Sequence, residues 1–498
     1  MVYPSLSAVQ EAAQKYNVIP VCRTVLADTE TPVSVWMKLF RNDRYNFLLE
    51  SVTGGDVVAR YSFIGGNPFM TFIAKGPQWM VQGHRERSGN EDPVGALRSL
   101  FGEFRSAPIE GMPRFTGGAV GYFSYDSIRY SEVIPDKNPK EDPLDDLFFG
   151  FYRDVIAFDN REHSLVLISN IFTDAGGSLE DAYKRASERI DAMQRGLSRT
   201  LPVTTLSVGK MGETISNVKK GAFEAAVERC KEYINAGDIF QVVLSQRFTV
   251  EVEADPFDLY RVLRVVNPSP YMYYLAQDDA SVIGASPEML VRVENGVVEV
   301  RPIAGTTRRG KTESEDLQLT EKLLADPKER AEHIMLVDLG RNDVGRVSES
   351  GSVHVEDMMH IEKYSHVIHI VSNVAGTLKD DADIFDALYS CFPAGTLSGA
   401  PKIRAMEIID ELETVRRGLY GGALGYIDFS GKMDTCIVIR TIIYHDGKAQ
   451  IQAGAGIVAD SVPDREYQET VHKATAPFTA IANAEKIAGQ FPAGSGEE

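Results

Sequence analysis

Short β-strand patterns follow one another along most of this sequence, while the helical patterns stand in separate blocks. Two apolar runs, 154–159 and 164–169, flank the turn pair Asn160-Arg161, which is the arrangement of a hairpin. Three more runs follow each other closely between residues 281 and 301. Parallel strands need a long crossover between neighbours, usually a helix. The pattern therefore predicts an α+β fold with mostly antiparallel sheets, and it argues against repeated βαβ units.

The chain divides near its middle at a stretch rich in Thr, Ser, Gly and Pro. This stretch, Leu201 to Asn217, has the composition of a linker. A length of 498 residues is enough for about two or three domains. We predict an N-terminal domain over residues 1–205, a second domain over residues 218–488, and a disordered tail over residues 489–498.

The composition is typical of a globular protein with an acidic balance. Acidic residues outnumber basic ones by 71 to 52, and the formal net charge is −19. This argues against a nucleic-acid partner, because phosphate backbones are bound by clustered Lys and Arg. We see no signal peptide and no apolar run near the roughly 20 residues of a membrane span, so we expect a cytoplasmic protein. Four cysteines without a Cys-x-x-Cys pair predict buried or free thiols, at Cys22, Cys230, Cys391 and Cys436.

One helical segment begins at Asp326-Pro327 and carries carboxylates next to an apolar run. The Asp can cap the helix, and the Pro fits its first position. Glu329 and Glu332 lie about one turn apart, and the run Ile334 to Val337 is expected to be buried. From the residues alone, two interpretations stay open. The acids lie on the wet face of an ordinary helix, or they face an interior where a cation offsets their charge.

Residues Gly305 to Thr312 match the phosphate-binding pattern Gly-x-x-x-x-Gly-Lys-Thr, between a predicted strand and a predicted helix. Asp338 ends a later apolar run, as the magnesium-binding acid does in P-loop NTPases. Such an NTPase is therefore an alternative. Against it, Pro302 falls where the strand of the loop should be central, the sheet pattern is antiparallel, and Asp338 continues a predicted helix, at whose end we expect it.

Seven blocks in the second half of the sequence resemble the chorismate-utilising enzymes in order and spacing. They are RPIAGT (301–306), AEHIMLVDLGRND (331–343), YSHVIHIVS (364–372), FPAGTLSGAPK (392–402), YGGALGY (420–426), CIVIRT (436–441) and QAGAGIVADSVPDREYQET (452–470). In the first half, FLLES, RYSFIGGNPF and GGAVGYFSYD resemble the anthranilate synthase component I branch of that family. Thr307 and Leu419 replace an Arg and a Pro expected in these blocks. The resemblance implies a large α+β assembly with β-sheets packed in the centre and helices outside.

The resemblance also implies a reaction. Ammonia adds at C2 of chorismate, the C4 hydroxyl leaves, and pyruvate is eliminated to give anthranilate. It assigns Mg²⁺ to Glu332 and Glu469, with Glu329 and Glu466 as supporting carboxylates. Mg²⁺ prefers oxygen ligands and keeps several waters, so two carboxylates together with a substrate carboxylate suit it. The spacing of these residues along the sequence does not show this site.

Further roles carried by the resemblance concern proton transfer and substrate binding. Glu288, in the block Gly-Ala-Ser-Pro-Glu, resembles the general acid of the family, which must stay protonated to help the hydroxyl leave. His369 resembles the base near C2, and Thr396 is assigned to catalysis with them. Arg440 is expected to bind a carboxylate through two hydrogen bonds. The other expected substrate contacts are Gly305, Thr306, Tyr420, Gly454, Ala455 and Gly456.

Two positions distinguish the reactions of the family. Isochorismate and salicylate synthases place a Lys where Gln241 stands, to activate water, and aminodeoxychorismate synthase has a Lys where Ala304 stands. Neither amine is present in this chain, which favours free ammonia as the nucleophile at C2. Isochorismate synthase and aminodeoxychorismate synthase remain the alternatives within the family.

The resemblance implies two further partners. No cysteine lies in the Gly-x-Cys-x-Gly elbow of a glutamine-hydrolysing site, so we expect a separate glutamine amidotransferase subunit to supply ammonia, in an assembly of two large and two small subunits. Tryptophan is expected as a feedback inhibitor that binds one segment from each half of the chain and holds the halves in a less active arrangement. The residues expected to bind it are Glu50, Ser51, Asn267, Pro270, Tyr271 and Met272.

Overall fold

The computed structural model describes residues 2–51, 60–141, 143–201, 206–363 and 367–490. Two large β-sheets dominate the described chain, and the strand pairings within them are antiparallel. The predicted α+β class with mostly antiparallel sheets is confirmed. Most of the predicted tail, from residue 491, and residues 202–205 of the predicted linker lie outside the described residues.

The first sheet has twelve strands. Eleven of them form one path across it, and the twelfth, β20 (Gly399–Ala400), pairs with β12. In spatial order the path is β1 (Val18–Leu26), β10 (Ser164–Phe172), β9 (Asp154–Asp159), β3 (Tyr61–Gly66), β2 (Asn46–Glu50), β13 (Tyr271–Gln277), β14 (Ala280–Ser286), β23 (Thr441–His445), β24 (Lys448–Ile457), β12 (Gln241–Glu251) and β11 (Ile215–Ser216).

The second sheet also has twelve strands. One of them, β18 (His354–Lys363), lies off the main path and pairs with β19. In spatial order the path is β17 (Ile303–Arg308), β19 (Val367–Thr377), β16 (Val297–Val300), β15 (Met289–Glu294), β22 (Met433–Ile437), β21 (Ala423–Asp428), β7 (Gly118–Phe123), β8 (Leu147–Tyr152), β4 (Met70–Lys75), β5 (Gln78–Gly83) and β6 (Arg87–Gly89).

Both sheets run through both halves of the sequence. In the first sheet β2 pairs with β13, so that Glu50 lies opposite Met272. In the second sheet β7 pairs with β21, so that Tyr122 lies opposite Leu424. The two halves therefore share both sheets, and the predicted domain boundary itself stays a prediction.

The two sheets bury aromatic side chains against each other. Phe47 and Tyr273 from the first sheet and Tyr122 and Tyr152 from the second belong to one buried cluster, and all four are almost fully buried. The rings of Phe47 and Tyr152 lie 4.7 Å apart between centroids, in an edge-to-face arrangement. Removing this apolar surface from water holds the sheets together.

The helices pack on these sheets and on one another. For example, α8 contacts β17 and β19, and α11 contacts β24. The helices are α1 (Leu6–Ala12), α2 (Pro32–Leu39), α3 (Pro93–Gly102), α4 (Leu179–Leu197), α5 (Lys220–Asn235), α6 (Pro256–Val266), α7 (Glu313–Ala325), α8 (Pro327–Val347), α9 (Ile384–Cys391), α10 (Lys402–Leu412) and α11 (Pro463–Gln490), with 3₁₀ turns at Tyr125–Tyr130 and Thr173–Ala175.

The start of α8 follows from its first residues. The carboxylate of Asp326 accepts hydrogen bonds from the amides of Lys328 and Glu329, as an N-cap does. The predicted burial of the run Ile334 to Val337 is only partly correct, because Ile334 is 40% and Met335 37% exposed, while Val337 is 2% exposed. One face of the helix packs on β17 and β19, and another faces a cavity.

Asp338 lies inside α8, which continues to Val347, so its predicted position at a helix end is wrong. Two backbone amides near the end of the segment that matches the phosphate-binding pattern are already engaged. The Gly310 amide donates to Asp316 and the Lys311 amide donates to Glu315. These amides already bind carboxylates, and β17 belongs to an antiparallel sheet. The structure thus contradicts the NTPase alternative.

The four cysteines are free and buried, as predicted. Burial raises the pKa of the Cys22 thiol to about 11 and the pKa of the Cys230 and Cys391 thiols to about 12. Burial raises the pKa of the Cys436 thiol as well. In the described ranges, no helix has the length and apolar character that a membrane crossing requires.

Candidate active site

A cavity of about 740 Å³ lies where α8 and α11 meet strands of both sheets. The first sheet contributes the beginning of β12 and the end of β24, and the second contributes β17 and β19. The segment after β14 and the segment before α10 complete its wall. Among the residues lining it are Gln241, Glu288, Thr306, Glu332, His369, Thr396, Tyr420, Arg440, Gly454, Gly456, Glu466 and Glu469. The fold thus brings together most of the residues that the sequence analysis selected.

Glu288 follows the end of β14 and is held at this cavity by its neighbours. The Thr396 hydroxyl donates to its carboxylate at 3.0 Å, and the amide of Ile437 donates to its carbonyl oxygen at 3.0 Å. Burial raises the pKa of Glu288 to about 7, although the Thr396 hydrogen bond and the charges of Lys473 and Arg440 act in the opposite direction. A carboxyl with such a pKa can donate a proton near neutral pH.

His369, on β19, lies against β17 across the cavity wall. Its Nδ1 is 3.3 Å from the carbonyl oxygen of Gly305 and 3.0 Å from the hydroxyl of Thr306. A carbonyl oxygen can only accept, so we assign the proton to Nδ1, which leaves Nε2 as the basic nitrogen. Burial lowers the pKa of His369, so the ring is neutral at pH 7 and can accept a proton.

Gly305 allows this approach because the strand bulges there. The register of β17 against β19 shifts between Ala304 and Thr306, and Gly305 has a φ of 71°. Such a left-handed conformation is open to glycine and strained for other residues. The bulge turns the Gly305 carbonyl oxygen and the Thr306 hydroxyl toward the ring of His369.

Arg440 stands between β22 and β23 with its guanidinium at the cavity. Its φ of 51° is in the left-handed region, which costs a non-glycine residue about 1 kcal/mol or more. Residues with such strained backbones are concentrated at functional sites. Within the described residues its guanidinium makes no hydrogen bond to protein, and burial lowers its pKa. A half-buried guanidinium with open donors is suited to bind a carboxylate in a forked geometry.

Two helices bring carboxylates to the same cavity. Glu332 comes from α8, and Glu466 and Glu469 come from the first two turns of α11. The pKa of Glu466 is raised by burial and by the charge of Glu469, and the pKa of Glu329 is raised by burial and by the charge of Glu332. The charge of Lys328 acts to lower the pKa of both Glu329 and Glu466, so the beginnings of the two helices lie near each other.

This donor set fits a magnesium ion. Its members are carboxylates only, which are the ligands that a hard cation prefers. In the described part of the chain, no three His, Cys, Asp or Glu side chains form a complete metal cage. A site with one carboxylate from each helix, several waters and a substrate oxygen is the kind that Mg²⁺ uses.

Tyr420 is fixed by a buried charge pair that the sequence analysis did not select. The Arg417 guanidinium lies 5.6 Å from its ring centroid and donates to the carbonyl oxygens of Leu397 and Val243, each at 2.6 Å. Glu413 balances the charge of Arg417 at 2.6 Å, and their side chains are 5% and 1% exposed, respectively. A Cβ atom at Gly454 would lie 2.8 Å from the Tyr420 hydroxyl, so only glycine fits beside this ring.

A family model described as chorismate binding enzyme matches residues 46–479, which is most of the chain. The chain belongs to the chorismate-binding enzyme family. The predicted resemblance is thereby confirmed at the level of the family.

The relatives found give the branch of the family. Anthranilate synthase component 1 of Acetivibrio thermocellus is 51% identical over 499 residues, which are 98% of this chain and 100% of the relative. The protein of the same name from Aquifex aeolicus is 48% identical over 489 residues, which are 97% of this chain and 98% of the relative. The sequence therefore groups with anthranilate synthase component 1, as the resemblance predicted.

Two solved structures confirm the family fold. Anthranilate synthase component I of Streptococcus pneumoniae superposes with a TM-score of 0.74 at 37% identity, covering 91% of this chain and 98% of that chain. The menaquinone-specific isochorismate synthase of Escherichia coli superposes with a TM-score of 0.70 at 18% identity, covering 95% and 98% of the two chains. The second likeness concerns the fold alone.

Three predicted residues of this family site lie behind its wall. Gly305, Ala304 and Ala455 do not line the cavity, although Ile303, Thr306, Gly454 and Gly456 beside them do. Ala304 is 8% exposed, and Ala455 packs into a buried apolar cluster with Val242 and Leu244. Gln241, in contrast, lines the cavity, with its side-chain nitrogen close to Gly456.

Two lysines at the cavity were not selected from the sequence. Lys328 precedes Glu329 on α8, and Lys473 follows Glu469 on α11 by four residues. The ammonium of Lys473 is 2.7 Å from Glu469. Spacing of four residues on a helix is a signal that could have identified this lysine, once Glu469 was assigned to the site.

A second cavity, of about 430 Å³, lies between the halves of the chain. Five of the six residues predicted to bind tryptophan line it, namely Glu50, Ser51, Pro270, Tyr271 and Met272. Asn267 does not line it and lies at the C-terminal end of α6. The carboxylate of Glu50 accepts hydrogen bonds from Tyr260 at 2.5 Å and from Arg264 at 2.9 and 3.1 Å.

Proposed function

We propose that this chain is the chorismate-converting subunit of an anthranilate synthase. It forms anthranilate and pyruvate from chorismate and ammonia, at the start of tryptophan synthesis. The observation that carries the proposal is the position of Glu288, a half-buried acid with a pKa of about 7, in one cavity with Arg440 and the carboxylates of Glu332 and Glu469. Relatives that are 48–51% identical over almost the whole chain bear this name.

The residues of the cavity have separate tasks in this reaction. Arg440 binds the enolpyruvyl carboxylate, and Tyr420, Thr306 and the backbone at Gly454 and Gly456 orient the ring. Protonated Glu288 gives its proton to the departing C4 hydroxyl, which leaves as water when ammonia bonds to C2. In the second step His369 accepts the C2 proton, the bond between ring C3 and the ether oxygen breaks, and the released enolpyruvate takes up a proton to become pyruvate.

Glu332 and Glu469 would hold Mg²⁺ together with the ring carboxylate of chorismate, and Glu329 and Glu466 would support them. When bound, the ion supplies Lewis-acid stabilisation of negative charge on the substrate. The two glutamates contribute oxygen ligands, and they place the ring with its C4 hydroxyl toward Glu288.

Gln241 and the absence of an amine at Ala304 support ammonia as the nucleophile. A lysine at either position could activate water or attack C2 itself, after burial lowers its pKa. The amide of Gln241 cannot deprotonate water, so isochorismate is not the expected product. The buried free thiols and the acidic composition fit a cytoplasmic enzyme.

We expect the chain alone to use ammonium but not glutamine. Glutamine hydrolysis in such enzymes needs a thiolate, and burial raises the pKa of each of the four thiols. A separate glutamine amidotransferase subunit is therefore proposed as the partner, in an assembly of two large and two small subunits.

The test mixes purified chain, chorismate and Mg²⁺ with either ammonium or glutamine and follows anthranilate fluorescence. Ammonium should give anthranilate, and glutamine should give neither anthranilate nor glutamate. Omission of chorismate is the control for background signal. No anthranilate with ammonium would contradict the proposed function, whereas release of glutamate from glutamine would contradict only the need for a partner.

We also propose the second cavity as a tryptophan feedback site. Its volume suits an indole, its wall carries Tyr271 and Met272, and it touches both halves of the chain through Ser51 and Pro270. A ligand there can bias the arrangement of the shared strands β2 and β13.

Ser51→Phe should fill this cavity and weaken tryptophan binding by at least about tenfold, or about 1.4 kcal/mol. Calorimetry measures the binding, and the tryptophan concentration that halves activity should rise by a similar factor. Ser88→Phe, at an exposed position on β6, is the matched control. Inhibition of Ser51→Phe at the same tryptophan concentration as the parent would exclude this cavity.

A further inference from the structure

Lys473 lies beside one of the two carboxylates proposed to bind the metal. Its ammonium is 2.7 Å from Oε1 of Glu469 and donates to the carbonyl oxygen of Gly454 at 3.0 Å. The side chains of Lys473 and Glu469 are 48% and 45% exposed, respectively, and both line the large cavity. The lysine therefore competes with a metal ion for the negative charge of the Glu469 carboxylate.

The ion pair between Lys473 and Glu469 affects metal binding because of the charges around the cavity. The described lining carries three permanent cations, Lys328, Arg440 and Lys473, and of these only Lys473 forms an ion pair with a proposed metal ligand. A divalent ion on Glu469 would sit within a few ångströms of the ammonium and be repelled by it. Lys473 therefore weakens the affinity of the empty active site for a divalent cation, although Glu332, Glu466 and Glu469 favour such an ion.

Bound chorismate changes this balance because it is a dianion. One carboxylate offers the ammonium a new partner, and the added negative charge offsets the repulsion between the ammonium and the metal. The hydrogen bond to the Gly454 carbonyl oxygen keeps the Lys473 ammonium close both to Glu469 and to a chorismate carboxylate in the cavity. Substrate and metal would then strengthen each other's binding, and the strengthening is equal in both directions.

We infer that Lys473 is a placeholder cation, which holds Glu469 in the empty site and makes tight metal binding conditional on chorismate. This inference rests on the proposed function, because it takes Glu469 as a metal ligand and chorismate as the substrate. It assigns to Lys473 a positioning role toward the metal site that is separate from proton transfer.

The test measures binding of Mn²⁺, as a probe for Mg²⁺, to the full chain. The buffer contains no ammonium salt. Electron paramagnetic resonance reports free Mn²⁺, with and without chorismate. In the parent, chorismate should tighten Mn²⁺ binding by at least about tenfold. In Lys473→Met, binding without chorismate should be about three- to tenfold tighter than in the parent, and the effect of chorismate should fall to about threefold or less.

Two further variants show whether the effect comes from the charge of Lys473 and from its position at the cavity. Lys473→Arg keeps the charge, so the effect of chorismate on Mn²⁺ binding should stay near that of the parent. Lys486→Met makes the same change at an exposed position later on α11 and should leave Mn²⁺ binding unaltered. Thermal melts of all variants show whether each chain is folded.

Unchanged or weaker Mn²⁺ binding in Lys473→Met without chorismate would overturn the inference. So would a chorismate effect in that variant as large as in the parent. Glu469→Gln distinguishes this failure from a failure of the proposed function: if that variant binds Mn²⁺ as the parent does, the metal site itself is wrong.

Discussion

Replacing Glu332 or Glu469 by glutamine should lower turnover of chorismate by at least about a thousandfold, or about 4 kcal/mol of transition-state stabilisation. Each change removes one charged ligand from the proposed magnesium site and keeps the shape of the side chain. Glu332 is exposed and Glu469 half-buried, so neither change removes a core contact. The chain should therefore stay folded while activity is lost.

Steady-state anthranilate formation over a range of Mg²⁺ concentrations checks this expectation. Glu321→Gln, at an exposed position on α7, is the control and should behave like the parent. Thermal melts of the three variants should agree with the parent within a few degrees. Normal activity of Glu332→Gln or Glu469→Gln at ordinary Mg²⁺ concentrations would disprove the assignment of that residue.

The second large effect concerns the acid that releases the hydroxyl group. Glu288→Gln should lower turnover by at least about a thousandfold, because an amide cannot donate a proton to the leaving group. In the parent, Glu288 must be protonated, and its pKa of about 7 is raised by burial. As pH rises through 7 the protonated fraction falls, so the rate should fall about tenfold per pH unit above that value.

The measurement must hold free ammonia constant, because its concentration also changes with pH. Thr396→Val offers an internal check. The Thr396 hydroxyl stabilises the charged form of Glu288 through its hydrogen bond, so its removal should raise the pKa of Glu288 further and move the falling limb to higher pH. A limb at the same pH in this variant, or strong activity of Glu288→Gln, would show that Glu288 is not the acid.

Local structure could be predicted from the residues themselves. The helix start at Asp326-Pro327 and the hairpin around Asn160-Arg161 depend on neighbours within a few positions. Turn residues, caps and hydrophobic period are local properties, and the structure agrees with them.

The composition of the site could not be predicted in this way. Glu332 and Glu469 belong to different helices, and only the packing of α8 and α11 around the ends of the sheets brings them to one cavity. Pairing of β2 with β13 likewise joins distant segments, and no local pattern fixes it. The resemblance to the family supplied these residues, because it preserves the result of long-range packing that the spacing does not contain.

Two short sequence patterns, one behind a prediction and one behind an alternative, do not hold in the fold, for physical reasons. The apolar side chains of Ile334 and Met335 are only partly buried because α8 faces an open cavity there. The phosphate-loop pattern at Gly305 to Thr312 failed because Asp316 and Glu315 bind its amides, and because Gly305 serves a bulge beside His369. In both cases the outcome depends on tertiary contacts, which a short sequence pattern does not contain.

Analysis of the reaction products decides whether the chain forms anthranilate from chorismate. The native chain is incubated with chorismate, Mg²⁺ and ammonium, and the products are separated by chromatography. We expect anthranilate and pyruvate in equal amounts, with little isochorismate and no 4-amino-4-deoxychorismate. Isochorismate or 4-amino-4-deoxychorismate as the main product would contradict this expectation.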